Sequence, residues 1–214
     1  YISTPHRGLD VLIAAFRAAK FENVILDVYS SFKIYGWEDK DDDWKPLYDA
    51  CKDTPNVNYH GTVSNEEIRT ALQQTHILAY PCCYKETACI SAIEAMSAGC
   101  LGVIPNLGAL PETGANFPWM YGFEEDPDKH QQVMGHILGR AIGHFWDDDV
   151  QNLLKIQRSY FDMFYNWDLR GGQWLQFLHA IQDTPEVEQQ KEAIRKEVEE
   201  EAEFEIIDKD GTAS

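Results

Sequence analysis

The sequence predicts an α/β domain in which a parallel sheet carries helices on both faces, followed by a helical C-terminal segment. Short apolar runs bounded by turn residues alternate with stretches of helical periodicity. Those runs lack in–out alternation, as expected of strands buried on both sides. Enough residues separate them for crossover helices, the connection that parallel strands require.

Residues 7–20 set Leu9, Leu12, Ile13 and Phe16 on one face and predict an amphipathic helix. Residues 23–29 read as a strand ended by Ser30 and Ser31, and the charged run 38–43 reads as a surface loop. Its carboxylates could attract calcium but lack the EF-hand spacing. A helix over 44–53 and a short strand over 56–60, ending at Gly61, come next. Ser64 with Glu67 three residues on forms a capping box, which opens a helix to about Gln74. A strand over 77–81 stops at Pro81, and the loop 82–86 leads into a helix over 88–98 closed by Gly99. Residues 101–105 form another strand, and helices are expected at 129–146, 149–165 and 169–181. This order is Rossmann-like and assigns residues 1–182 to one domain. Residues 183–214 hold twelve acidic and four basic residues and read as a solvated acidic tail, partly helical or disordered.

The chain has 214 residues and a formal net charge of -18. That charge argues against a nucleic-acid partner, where clustered Lys and Arg supply most of the affinity, and against electrostatic adhesion to anionic membranes. With 44% hydrophobic residues a real core is available. No apolar run approaches the roughly 20 residues of an integral membrane segment, and no signal peptide is visible. The first residue is Tyr1, which reads as a cut N-terminus. Five cysteines without C-x-x-C spacing or a suitably placed histidine argue against zinc. Cys82 and Cys83 read as small reduced thiols, and a reducing cytoplasmic compartment is expected.

No Walker A run and no G-x-G-x-x-G is present, which disfavours a P-loop ATPase or a simple dinucleotide enzyme. Ligands of open parallel sheets gather at the carboxyl ends of strands, and residues 80–94 are the best such place. Glu86 and Glu94 bracket it, and eight helical steps span roughly 12 Å. Between them, the amides of Thr87, Ala88 and Cys89 are expected to face an anion. Carboxylates accept hydrogen bonds from sugar hydroxyls, so the segment suits a sugar, a diphosphate and a ribose in series. Spacing alone equally allows Glu86 to be a helix-start charge and Glu94 part of a solvated face.

Residues 80–100, YPCCYKETACISAIEAMSAGC, resemble the glutamate–seven residues–glutamate motif of retaining GT-B glycosyltransferases, above all family 4, also called glycosyltransferase group 1. Three further stretches agree in order: RGLDVLIAAF over 7–16, VNYHGTV over 57–63 and LGALPET over 107–113. Asn166-Trp167-Asp168 with Trp174 is similar to the final helical segment of that fold, so the resemblance covers residues 1 to about 181. It implies the C-terminal half of a GT-B fold, which binds a UDP-, GDP- or ADP-sugar and passes the sugar to a hydroxyl of a glycan, lipid or protein. By position, Glu86 would meet the donor sugar, Glu94 the ribose, and Arg7 and the amides of residues 87–89 the diphosphate. Gly61 and Val63 would line the base pocket. The reaction would retain configuration, with the leaving phosphate helping to deprotonate the acceptor, and would need no metal and no cofactor.

The chain departs from the family pattern in three places. The Gly-Arg pair usual before the basic residue is not seen, so Ser3 or Thr4 would supply weaker phosphate contacts. Ala88 replaces the usual aromatic or glycine. An acceptor-binding N-terminal domain with its own histidine is missing from the sequence, so the fragment alone is expected to be inactive. The seven histidines present read as ordinary polar or partly buried residues. Two alternatives stay open: a non-catalytic nucleotide-sugar-binding or interaction module whose acidic tail recruits partners, and another enzyme of this fold, such as an epimerase or a phosphorylase. The acid–base residues of the first and the pyridoxal-binding lysine of the second are not identifiable.

Overall fold

A computed structural model describes residues 1–182 and 184–210. The chain divides into two compact units, Tyr1–Phe164 and Tyr165–Ser214.

The first unit carries five strands, all paired in parallel. β1 (Leu26–Val28) pairs with β2 (Val57–Tyr59), with Leu26 opposite Val57. β3 (Ile77–Ala79), β4 (Leu101–Asn106) and β5 (Trp119–Gly122) form a second sheet, Leu78 opposite Gly102 and Ile104 opposite Met120. The N-terminal segment runs parallel to β1 through a bridge from Ile2 to Tyr29. The Tyr1 ring packs against Tyr80 at the end of β3, 5.9 Å between centroids. The chain therefore winds one way from its N-terminal segment through β1 and β2, and the other way from β3 through β4 and β5.

Right-handed crossovers then assign helices to opposite faces. α1 (Leu9–Ala19) and α2 (Asp41–Lys52) cover one face, and α6 (Pro127–His144) packs on α1. α3 (Asn65–Leu72), α4 (Ile90–Ala98) and the short α5 (Leu110–Gly114) cover the other, with α7 (Asp148–Phe164) against α4. The core between them is apolar: Leu9, Leu12, Leu78, Met96, Leu101, Ile104 and Met134 are fully buried. In the second unit, α8 (Trp167–Gln182) is followed by α9 (Pro185–Asp210).

The parallel α/β architecture with a helical C-terminal part agrees with the expectation from sequence, and so does the capping box. Ser64 Oγ accepts from the Glu67 amide, and the Glu67 carboxylate accepts from the Ser64 amide. Three expectations need correction. The charged run is not a loop: residues 38–40 form a 3₁₀ turn and α2 starts at Asp41. Its three leading aspartates favour a helix N-terminus. Asp41 also accepts from the Phe32 amide, Ser31 Oγ and Tyr48 Oη, which ties the preceding turn down. The helix expected from Ala88 starts two residues later, because Cys89 holds an extended backbone. Finally, β5 and α5 carry residues that the periodicity left unassigned, although 117–121 form an aromatic and apolar run.

Candidate active site

Three loops meet at the carboxyl ends of the strands, where the winding direction changes and open parallel sheets place their ligands. They are the segment Thr4–Gly8 before α1, the loop Pro81–Cys89 between β3 and α4, and the turn Leu107–Ala109 after β4.

Two glycines permit their approach. Gly8 has φ +91°, and a Cβ there would lie 1.9 Å from the Pro81 carbonyl oxygen. Gly108 has φ +58°, and a Cβ there would lie 2.8 Å from the backbone nitrogen and oxygen of Glu86. Only glycine tolerates both the dihedral and the closeness. The Ala109 amide donates to the Glu86 carbonyl at 2.9 Å and completes the contact.

At the junction Arg7 and Glu86 form an ion pair through Nη1 and Oε1. The Glu86 side chain is buried, whereas that of Arg7 keeps 23% of its surface exposed. Oε1 also accepts from Tyr80 Oη at 2.7 Å, and burial raises the Tyr80 phenol far above its ordinary range, so it stays a donor. Cys82 Sγ lies 3.7 Å from the same oxygen, and burial pushes its thiol to about 12. Among the described residues, Oε2 has no hydrogen-bond partner, and Arg7 Nε is buried without one. The guanidinium lies over the Tyr84 ring, 5.3 Å from its centroid. A carboxylate with one oxygen anchored and one free, beside a partly exposed cation, can accept hydroxyl protons and hold an anion at one point.

The other candidates from sequence lie around this pair. Thr87, Ala88 and Cys89 belong to the loop and not to α4, so helix rise does not measure the separation of Glu86 from Glu94. Among the described residues their amides donate to no backbone or side-chain acceptor. Glu94 is exposed on α4. Gly61 (φ +66°) and Val63 line the loop after β2, which Tyr59 ties to the end of β1 by donating from Oη to the Ser30 carbonyl at 2.8 Å. Among the described residues no hydrogen bond or ion pair joins Glu94, Gly61 or Val63 to Arg7 and Glu86.

Sequence reasoning missed Tyr80 and Tyr84, which anchor and cover the pair; only their flanking positions hinted at it. His130, one of the histidines read as ordinary polar or partly buried, is fully buried against Tyr121 Oη at 2.9 Å with its ring pKa lowered by burial. All five cysteines are free thiols. Among the described residues no group of three His, Cys, Asp or Glu side chains is placed to hold a metal, and no helix is long and apolar enough to cross a membrane.

A parallel sheet with helices on both faces and an arginine–glutamate pair at its switch point defines an open α/β class, and comparison with known families is more specific. Residues 3–137 match the family described as glycosyl transferases group 1, and the chain belongs to that family. It is similar in structure to a glycosyltransferase from Rickettsia africae ESF-5, with TM-score 0.68 and 15% identity over 86% of this chain and 47% of that one. A sucrose-phosphate synthase from Thermosynechococcus elongatus aligns with TM-score 0.61 and 18% identity, covering 82% of this chain and 43% of that one. The chain thus spans less than half the length of these solved relatives, and at such identity they show the fold alone, of GT-B glycosyltransferase type. No curated protein matches the sequence.

Proposed function

We propose that this chain is the donor-binding, C-terminal half of a retaining family 4 glycosyltransferase, which moves a sugar from a nucleotide diphosphate sugar to an acceptor hydroxyl. The observation that carries this reading is the Arg7–Glu86 pair at the switch point of a chain belonging to the glycosyl transferases group 1 family. Glu86 Oε2 accepts from hydroxyls of the donor sugar. Arg7 and the unengaged amides of Thr87, Ala88 and Cys89 take the diphosphate. A cation fixed there stabilises the leaving phosphate as the glycosidic bond breaks. Glu94 takes the ribose hydroxyls, and the Gly61–Val63 loop takes the base. This reading needs no carboxylate nucleophile beside Glu86, unlike the roughly 5 Å carboxylate pair of a retaining hydrolase. Metal-independent transfer and a cytoplasmic setting belong to the same proposal, as does an N-terminal domain that completes the enzyme.

Calorimetric titration with UDP-, GDP- and ADP-sugars tests it. At least one should bind, Glu94→Ala should weaken nucleotide binding, and Glu86→Ala should remove the sugar's contribution. Absence of binding by every nucleotide-sugar, with the fold intact, refutes the donor site.

A further inference from the structure

A strip of rings and cations leads away from the Arg7–Glu86 pair. Tyr84, two residues before Glu86, lies under the Arg7 guanidinium and is 52% exposed. The exposed His6 ring meets Tyr84 edge-on at 6.2 Å and stacks at 5.4 Å, with planes 10° apart, on Phe32, which is buried and forms the floor between His6 and Lys40. Lys40 Nζ then bridges two rings, 5.9 Å from the centroid of Phe32 and 4.2 Å from that of Trp37. Trp37 (51% exposed) contacts Tyr35 (56% exposed) at 5.4 Å. Apart from Tyr84, which covers Arg7, nothing in the proposed donor site uses these residues, yet the strip begins at the reacting pair.

We propose that this strip binds part of an extended, uncharged glycan acceptor, alongside the contacts that the N-terminal domain of the proposed enzyme would make. The inference rests on the donor-site reading above and names the substrate that meets it. Tyr, Trp and His offer flat apolar faces with polar edges, which match the C–H faces and peripheral hydroxyls of sugar rings, whereas an acyl chain has no use for polar edges. The rings are held by stacking and by Lys40 before any ligand arrives, so little side-chain freedom is lost on binding. The contacts follow one another from Tyr84 through His6, Phe32 and Lys40 to Trp37 and Tyr35, which suits successive sugar units leading to Glu86. An aromatic and cationic strip also suits single-stranded nucleic acid, but the carboxylates of Glu38, Asp39, Asp42 and Asp43 flank Lys40 and the whole chain carries -18, which disfavours a polyanion.

The probes are neutral gluco-, manno- and N-acetylglucosamine oligosaccharides of increasing length, titrated by calorimetry and by tryptophan fluorescence. At least one series should bind, and more tightly as it lengthens. Trp37→Ala and, separately, Tyr35→Ala should weaken it about tenfold, with circular dichroism and Tm unchanged. No binding by any series overturns the proposal, as does equal affinity in both variants. Tighter binding of oligothymidylate than of any glycan also overturns it. Nucleotide-sugar affinity, measured in the same preparations, reports on the donor site separately. Its failure with glycan binding intact would refute the donor reading alone.

Discussion

At the scale of single residues, the two glycines at the loop junction are the most stringent positions. A Cβ at residue 8 would meet the Pro81 carbonyl oxygen at 1.9 Å in a left-handed backbone. Gly8→Ala should therefore lower stability by about 1–3 kcal/mol through the dihedral alone, and should also abolish nucleotide-sugar binding by displacing Arg7. Thermal unfolding and calorimetry on one sample check both effects. His130 offers a pH test. Burial holds its pKa below the ordinary value, partly opposed by Asp10 and Glu124. The folded state thus keeps the ring neutral where the unfolded chain takes up a proton. Its contribution is present above the unfolded pKa of about 6.5 and is lost as pH falls through the lowered folded value. Denaturant unfolding from pH 7.5 to 5 should show a loss of stability that is shallower in His130→Gln.

At the scale of elements, α4 carries the second glutamate and is fastened at its far end by α7. The buried Gln157 donates from Nε2 to the carbonyls of Met96 and Cys100, at 3.1 and 2.9 Å. Gln157→Leu leaves the Cys100 carbonyl without its donor, while the Met96 carbonyl keeps the Gly99 amide, and should cost about 1–2 kcal/mol, read as a shift in the urea midpoint. Ser64→Ala removes the cap of α3 and should cost about 1 kcal/mol. Legibility differed sharply between these two helices. The α3 cap is local, Ser64 with Glu67, and stands in the sequence as a pattern. Gln157 acts across sixty residues, and nothing in its neighbourhood separates it from a surface glutamine on an amphipathic helix. The start of α4 escaped for the same reason: Cys89 is extended at the end of a loop whose Glu86 is held by Tyr80 and the Gly108 turn, and propensity does not register those contacts.

At the scale of the whole molecule, the alternation of strands and helices was legible because the strands read as short, largely apolar runs, most clearly β4, buried in all but its last residue, and least clearly β2, where Asn58 is exposed. The pairing was not, since every parallel contact is long-range, as between Ile2 and Tyr29 or Ile77 and Leu101. Glu86 and Arg7 were recognisable as separate candidates in their motifs. That they neutralise each other required the fold, which brings positions 79 residues apart into one ion pair.

That pairing has a consequence for turnover on the proposed assignment. Before a donor arrives, the cation already has an internal anion. A diphosphate that draws Arg7 away leaves the buried carboxylate with Tyr80 but without its cation, and an attached sugar adds the hydrogen bonds that offset the loss. Once the sugar has left, the nucleotide competes with Glu86 for the arginine at a disadvantage, and the site expels its own product. Nucleoside diphosphate should therefore bind more weakly than the nucleotide-sugar, and Glu86→Ala should narrow that gap by strengthening the first while weakening the second.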